Sequence, residues 1–197
     1  MNTREDEYIE ASSNEKARKD LIIWTVIGWV VIFGLGNLFH FMYDWIQWKP
    51  IGWLFPINES MWEHTKLSFW SGLFFYIAEY FILRKKYNKI IVGRTEGLFA
   101  GIIVMLSFYY TIEGAFGVAG WGLSIGTYVL STIVQQLVGF FIINMDKEFE
   151  AKNQKILDIV SLVFVGVLIV VMILFTYIQA EIPLFYDDVN ATYGFID

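Results

Sequence analysis

The two histidines of this sequence, and the acids that fall near them, are its clearest candidates for chemistry. Asn37, His40 and Asp44 stand at i, i+3 and i+7, which puts them along one side of a helix. A His and an Asp four residues apart can ligate one metal ion, or the Asp can orient the imidazole. For that pair taken alone, an interfacial hydrogen bond is the simpler account. The second group is denser: Pro56-Ile57-Asn58-Glu59-Ser60-Met61-Trp62-Glu63-His64. Asn58 or Ser60 can cap a helix that starts here, and Ser60-x-x-Glu63 fits a capping box. With Asn58 as the cap, Ile57 and Trp62 would form a hydrophobic staple. Capping uses one such residue and one glutamate, and leaves Glu59, His64 and Lys66 without a structural task. Glu59 and Glu63 are four apart, as are Ser60 and His64, so the helix start offers two polar faces. A helix N-terminus favours carboxylates in their ionised form, able to hold a cation or to pair with Lys66.

Three functional readings follow. In the first, an enzyme at the outer membrane face uses His40, Asp44, His64 and Glu59 as metal ligands. His64, Glu63 and Glu59 then serve as catalytic acids and bases. Two His and several carboxylates suit one divalent ion of the Zn²⁺, Mn²⁺ or Fe²⁺ kind better than Ca²⁺. Asn37, Asn58, Ser60, Lys66, Glu113 and Asp187 complete the polar cluster. In the second reading the chain binds or carries a small solute or ion, with Glu113 and the Gln135-Gln136 pair continuing a polar path inward. The third is a structural subunit, a homo-oligomer or one bound to a membrane partner, in which the motif fixes helix ends.

The elements that must position these residues are membrane helices. Hydrophobic residues make up 56% of the 197 positions and charged residues 17%, against roughly a quarter charged in ordinary soluble domains. The apolar residues gather in blocks at about 21–42, 58–83, 97–117, 121–143 and 156–178, each near the 20 or so residues that cross a bilayer. The fold class expected is all-α, an integral membrane bundle of five transmembrane helices over 21–178. A polar segment over 1–20 precedes it, with no cleavable-signal pattern, and an acidic tail over 179–197 follows. Of the 14 basic residues, all but Lys49 and Lys66 fall before the first block, between the second and third, or between the fourth and fifth. That alternation places the N-terminus in the cytoplasm and the C-terminus outside, in a cell membrane. Tyr43, Trp45, Trp48, Trp53, Trp62 and Trp121 form the matching outer belt, and Gly93-Gly97-Gly101 and Gly122-Gly126 are spaced for close helix packing. Glu79 is expected to meet Arg84 or the basic loop, and Gln135 and Gln136 to bond between helices. The net charge of −6 excludes a nucleic-acid partner, and the absence of cysteine excludes disulfides and thiolate sites.

The run His40-x-x-x-Asp44-Trp45 followed by Pro56-x-Asn58-Glu59-Ser60-x-Trp62-Glu63-His64-x-Lys66-Leu67 resembles an uncharacterised family of small prokaryotic multi-pass membrane proteins. Pro183-Leu184-Phe185, Asp187 and Tyr193-Gly194 resemble the same family's C-terminal ending. Ile57 and Met61 stand where the family pattern leads one to expect valine, and Asp188 where it leads one to expect proline. The resemblance implies a membrane bundle and adds weight to these positions, with no established activity to carry over. His40-x-x-x-Asp44 also resembles zinc-dependent membrane hydrolases related to ceramidases, but those need a distant His-x-x-x-His pair and this chain has two histidines in all.

Overall fold

The structure is a computed structural model that describes residues 3–145 and 150–196. Lys147 and the side chain of Arg4, both used above for orientation, lie outside the described residues. Five long helices account for most of the chain: α1 (Thr3–Ile46), α2 (Met61–Leu83), α3 (Ile90–Phe116), α4 (Trp121–Ile143) and α5 (Ala151–Tyr177). A 3-10 turn, Lys49–Trp53, interrupts the loop after α1, and another, Pro183–Phe185, follows α5. The tail closes with a two-residue antiparallel ladder, β1 (Tyr186–Asp187) against β2 (Thr192–Tyr193).

Among the described residues, four stretches are long and apolar enough to cross a membrane: Glu15–Ile46, Ile90–Phe116, Trp121–Ile143 and Ala151–Tyr177. The sequence puts a fifth span at 58–83, and α2, which occupies that block, is the exception. It is also the most enclosed helix, packed against α1, α3 and α4, and its polar residues Glu63, Lys66, Ser68, Ser71 and Glu79 are all buried. The apolar helices thus lie around a polar one. α5 shows the converse pattern, with Ile159, Val163, Val167, Val170 and Leu174 all exposed.

The first block is not set off from the polar segment before it. α1 is one helix of 44 residues that continues from that segment into the apolar run, because Glu, Lys, Arg and Ala extend a helix as readily as Leu does.

α3 and α4 make the most extensive contact in the bundle, and the glycine spacing explains it. A Cβ on Gly93 would come within 3.0 Å of the Gly139 carbonyl, and one on Gly101 within 3.1 Å of Ser131 Oγ. At Gly97 it would collide with the Gln135 carbonyl. Gly122 and Gly126 face nothing within 4 Å, so only one of the two glycine series packs inside the chain. Gly97→Ala is therefore expected to lower stability by about 1–3 kcal/mol, since backbone has to give way. Gly126→Ala should be neutral or stabilising by up to about 1 kcal/mol. Thermal unfolding of the two variants in one detergent compares them directly.

Glu79 meets not Arg84 but Arg94, another basic residue of the segment between the second and third apolar blocks. Its carboxylate accepts from Arg94 Nε at 2.7 Å and from Nη2 at 2.6 Å, while Arg84 lies over the rings of Tyr80 and Phe81. Arg94 sits one turn inside α3 and is buried where that helix packs on α2, so it belongs to the core. Gln136 accepts from Arg94 Nη1 at 3.0 Å and donates to Tyr76 Oη at 3.3 Å. Both glutamines bond between helices, Gln135 by donating to the Ser68 carbonyl at 3.4 Å.

Candidate metal centre

The end of α1, the start of α2, the end of α3 and the tail meet at one end of the bundle. Ser60 is the N-cap of α2 and accepts from Glu63 N at 3.4 Å. Only half of the capping box forms. Ser60 N donates instead to Asn58 Oδ1 at 3.0 Å, and the Glu63 carboxylate turns inward to accept from Ile57 N at 3.0 Å. Glu63 also pairs with Lys66, whose Nζ donates to the Gly52 carbonyl at 2.8 Å. Both side chains are wholly buried. Together they tie the 47–60 loop onto α2, helped by Trp70 Nε1 donating to the Trp53 carbonyl at 3.0 Å.

The tail is clamped to the same loop. Asn58 Nδ2 donates to the Gly194 carbonyl at 2.7 Å, and Gly194 N donates to Gln179 Oε1 at 2.8 Å. Gln179 reaches Glu63 Oε1 through its amide nitrogen at 3.3 Å. Nothing in the sequence singles Gln179 out, because its partners lie far away along the chain. Asp187 is fully buried and accepts from the backbone N–H groups of Val189 and Asn190, from Asn190 Nδ2, and from Glu59 N at 3.1 Å. Burial raises the Asp187 pKa, but the Asn190 side chain and these backbone donors outweigh it and leave the carboxyl below its ordinary value. The part of the tie that Asp187 makes is therefore complete above the ordinary aspartate value of about 3.9 and is lost as pH falls through the lowered one.

With its backbone held from the tail, Glu59 projects between the two imidazoles. His40 in α1 and His64 in the first turns of α2 each turn Nε2 toward it, His64 at 3.2 Å and His40 at 3.8 Å. The imidazole centroids are 5.4 Å apart. One ligand atom from each of His40, Glu59 and His64 lies within 4.8 Å of the others. Four ligands around an ion at about 2.0–2.1 Å stand roughly 3.3 Å apart at the corners of a tetrahedron; the His64–Glu59 separation of 3.2 Å already matches this, and His40 has to move inward to complete it. The 3.8 Å gap at His40 is too long for a hydrogen bond, and neither His40 Nδ1 nor His64 Nδ1 has a partner among the described residues. The hydrogen bond from His64, opposed by burial and reinforced by the charge of both imidazoles, holds the Glu59 carboxyl below its usual range. It is an anion throughout the neutral range.

The other candidates are placed differently. Asp44 is exposed and lies outside this three-residue group. Glu63 is committed to Lys66. Asn37 is exposed and donates back to the Phe33 carbonyl of its own helix at 2.7 Å. Glu113 lines a cavity of about 280 Å³ that opens beside Glu59, together with Met61, Tyr109, Tyr110 and Asp188. Asn58, Ser60 and Asp187 touch no other member of the group than Glu59 or its loop, and act as its scaffold.

The model of a family of unknown function, DUF6512, matches residues 13–195. Searches of curated proteins and of solved structures return no match.

Proposed function

We propose, from the premise that this chain belongs to DUF6512 and that the family brings no assigned activity, that it is a membrane protein with a divalent metal centre. The ligands are His40, Glu59 and His64. The observation that carries this reading is the convergence of three ligand atoms, from two helices and a loop, within 4.8 Å. His40 facing the carboxylate across a gap wider than a hydrogen bond supports it. Three protein ligands leave a coordination position free, as in catalytic and not structural sites. Two imidazoles and one carboxylate suit Zn²⁺, Fe²⁺ or Mn²⁺. The cavity lined by Glu113 opens beside Glu59 and gives a substrate room to reach such an ion. An enzyme that activates water or polarises a substrate oxygen at the membrane face fits this geometry best. Glu63 and Asp44, further candidates for acid–base and ligand roles, have no place in that step here.

The five-span topology is part of the same proposal. α2 has 23 residues, about 35 Å at 1.5 Å per residue. Its charges are neutralised within the bundle as Glu63–Lys66 and Glu79–Arg94, so it can cross a bilayer behind its neighbours. The segregation of basic residues then puts the metal centre on the extracytoplasmic side of a cell membrane.

Metal analysis of protein purified in mild detergent without chelator tests the proposal, with about one ion per chain expected. Protein that is metal-free and takes up none of Zn²⁺, Mn²⁺ or Fe²⁺ on addition overturns it. Retention should also fall with acid, because both imidazoles must be neutral to hold an ion. Asp187→Asn should weaken metal affinity by about 10–100-fold, the usual effect of removing a group that orients a ligand, while the chain stays folded. Titration with Zn²⁺ and competing chelator reads this out.

A second reading, a carrier of a small solute or ion, draws on the polar contacts between α2 and α4. Ser68 Oγ and Ser131 Oγ are 2.8 Å apart, and Gln135 and Gln136 continue inward to Arg94 and Glu79. A proteoliposome flux abolished by Gln135→Leu with the metal retained would favour it.

A further inference from the structure

The opposite end of the bundle holds a second candidate site, independent of the metal centre. A vestibule of about 920 Å³ opens between the ends of α2, α3, α4 and α5 and the Ala17–Arg18 stretch of α1, and among the described residues its walls carry Arg18, Arg84, Lys85, Lys86, Lys89 and Lys155 against the one acid Asp158. Lys86 pairs with Asp20, and Lys89 donates to the Met145 carbonyl. Arg18, Lys85 and Lys155 are exposed and take part in no ion pair among the described residues. α3 and α5 both begin here, at Ile90 and Ala151, and residues of both first turns line the space. Their free N–H groups and dipoles add to the positive field.

A basic loop alone needs no ligand, since orientation in the membrane accounts for it. The vestibule, however, does not end in a basic surface. A second cavity of about 300 Å³ leads off it between α2, α3 and α5, walled by Leu73, Ile77, Leu98, Leu162 and Val165. The two share Tyr80, Ile90 and Ile91 as common wall. From Ile90 to Leu98 the slot follows α3 for about 12 Å at 1.5 Å per residue, close to the roughly 15 Å of half a hydrocarbon core. A cationic chamber joined to an apolar slot of that depth matches a molecule with an anionic head and a hydrocarbon tail.

We infer that this end of the bundle is a binding site for one anionic phospholipid, with its phosphate among Arg18, Lys85 and Lys155 and an acyl chain in the slot between α2, α3 and α5. Basic pockets between membrane helices bind phosphorylated lipid heads by the same charge complementarity.

The test is native mass spectrometry of the full chain, delipidated in detergent and then given phosphatidylglycerol or phosphatidylcholine. Phosphatidylglycerol should be retained at least about tenfold more strongly. The combined Arg18→Gln, Lys85→Gln and Lys155→Gln variant, which breaks no ion pair among the described residues, should lower it to the phosphatidylcholine level. Ile77→Trp, at a half-exposed position in the slot, should reduce it with every charge in place. Equal retention of the two lipids overturns the inference, as does an unchanged preference in the triple variant. Retention unaffected by Ile77→Trp would mean diffuse surface attraction, and full displacement by millimolar inorganic phosphate would mean a site for a free anion; either also overturns it. The readout is bound lipid, so the result stands apart from whether the metal centre exists.

Discussion

His64→Ala is expected to take the metal content of the purified chain from about one ion to below about a tenth, with the fold retained. In the proposed centre His64 supplies one of three ligands, and two protein ligands on separate elements hold a divalent ion far less well than three. Among the described residues, the one bond the His64 side chain makes to the 47–60 loop is to the Glu59 carboxylate; the buried ties of that loop to α2 are made by Glu63, Lys66 and Trp70. The variant should therefore unfold within a few degrees of the parent when both are stripped of metal. The parent alone should gain stability when metal is added, because an ion that binds only the folded state stabilises it by mass action. His40→Ala should behave alike. Equal metal content in parent and variant, or loss of folding in the stripped variant, would count against the centre. Asp44→Ala is the informative contrast. This residue is exposed and outside the three-residue group, so its removal should leave metal content unchanged.

Lys66→Met should do the reverse, costing stability with no direct effect on a ligand. It leaves the Glu63 carboxylate without its cation in a site closed to solvent, which costs about 3–5 kcal/mol for a buried pair broken on one side. It also leaves the Gly52 carbonyl without its donor. Adding Glu63→Gln to Lys66→Met should recover much of the loss, since a neutral pair of similar volume avoids the stranded charge. An unfolding series of parent, single and double variants measures this. If the double variant were no more stable than the single one, the buried charge would not be the cause. The same logic applies to Glu79 and Arg94, which are buried and joined by two hydrogen bonds.

These two experiments separate roles that adjacent residues in one motif do not reveal. Glu59, Glu63 and His64 all sit where a helix begins, and each is a plausible ligand by type. The structure divides them, with Glu63 to the loop anchor and Glu59 to the imidazoles. Four residues along a chain amount to about one turn only where the chain is helical. Glu59 precedes the N-cap Ser60, so its direction is set by the loop and by the hydrogen bond its backbone gives to Asp187. Sequence spacing carries no information about that bond.

What the sequence determined by itself was the all-helical class, with apolar runs long enough to cross a membrane, and the polar character of the residues from which His40, Glu59 and His64 come together. These rest on local quantities, the length of apolar runs and the position of polar residues within them, which the bilayer's thickness turns directly into structure. The close packing behind Gly93, Gly97 and Gly101 was legible for the same reason. Tertiary structure alone decided that Glu79 pairs with Arg94, that Glu63 closes on Lys66, that Asp44 stays outside, and that Gln179 and Asp187 brace the site. Each of these depends on how a helix is rotated about its axis and on contacts between residues far apart in the chain. A turn of about 100° per residue decides which of two neighbouring acids faces an imidazole, and only packing fixes that angle.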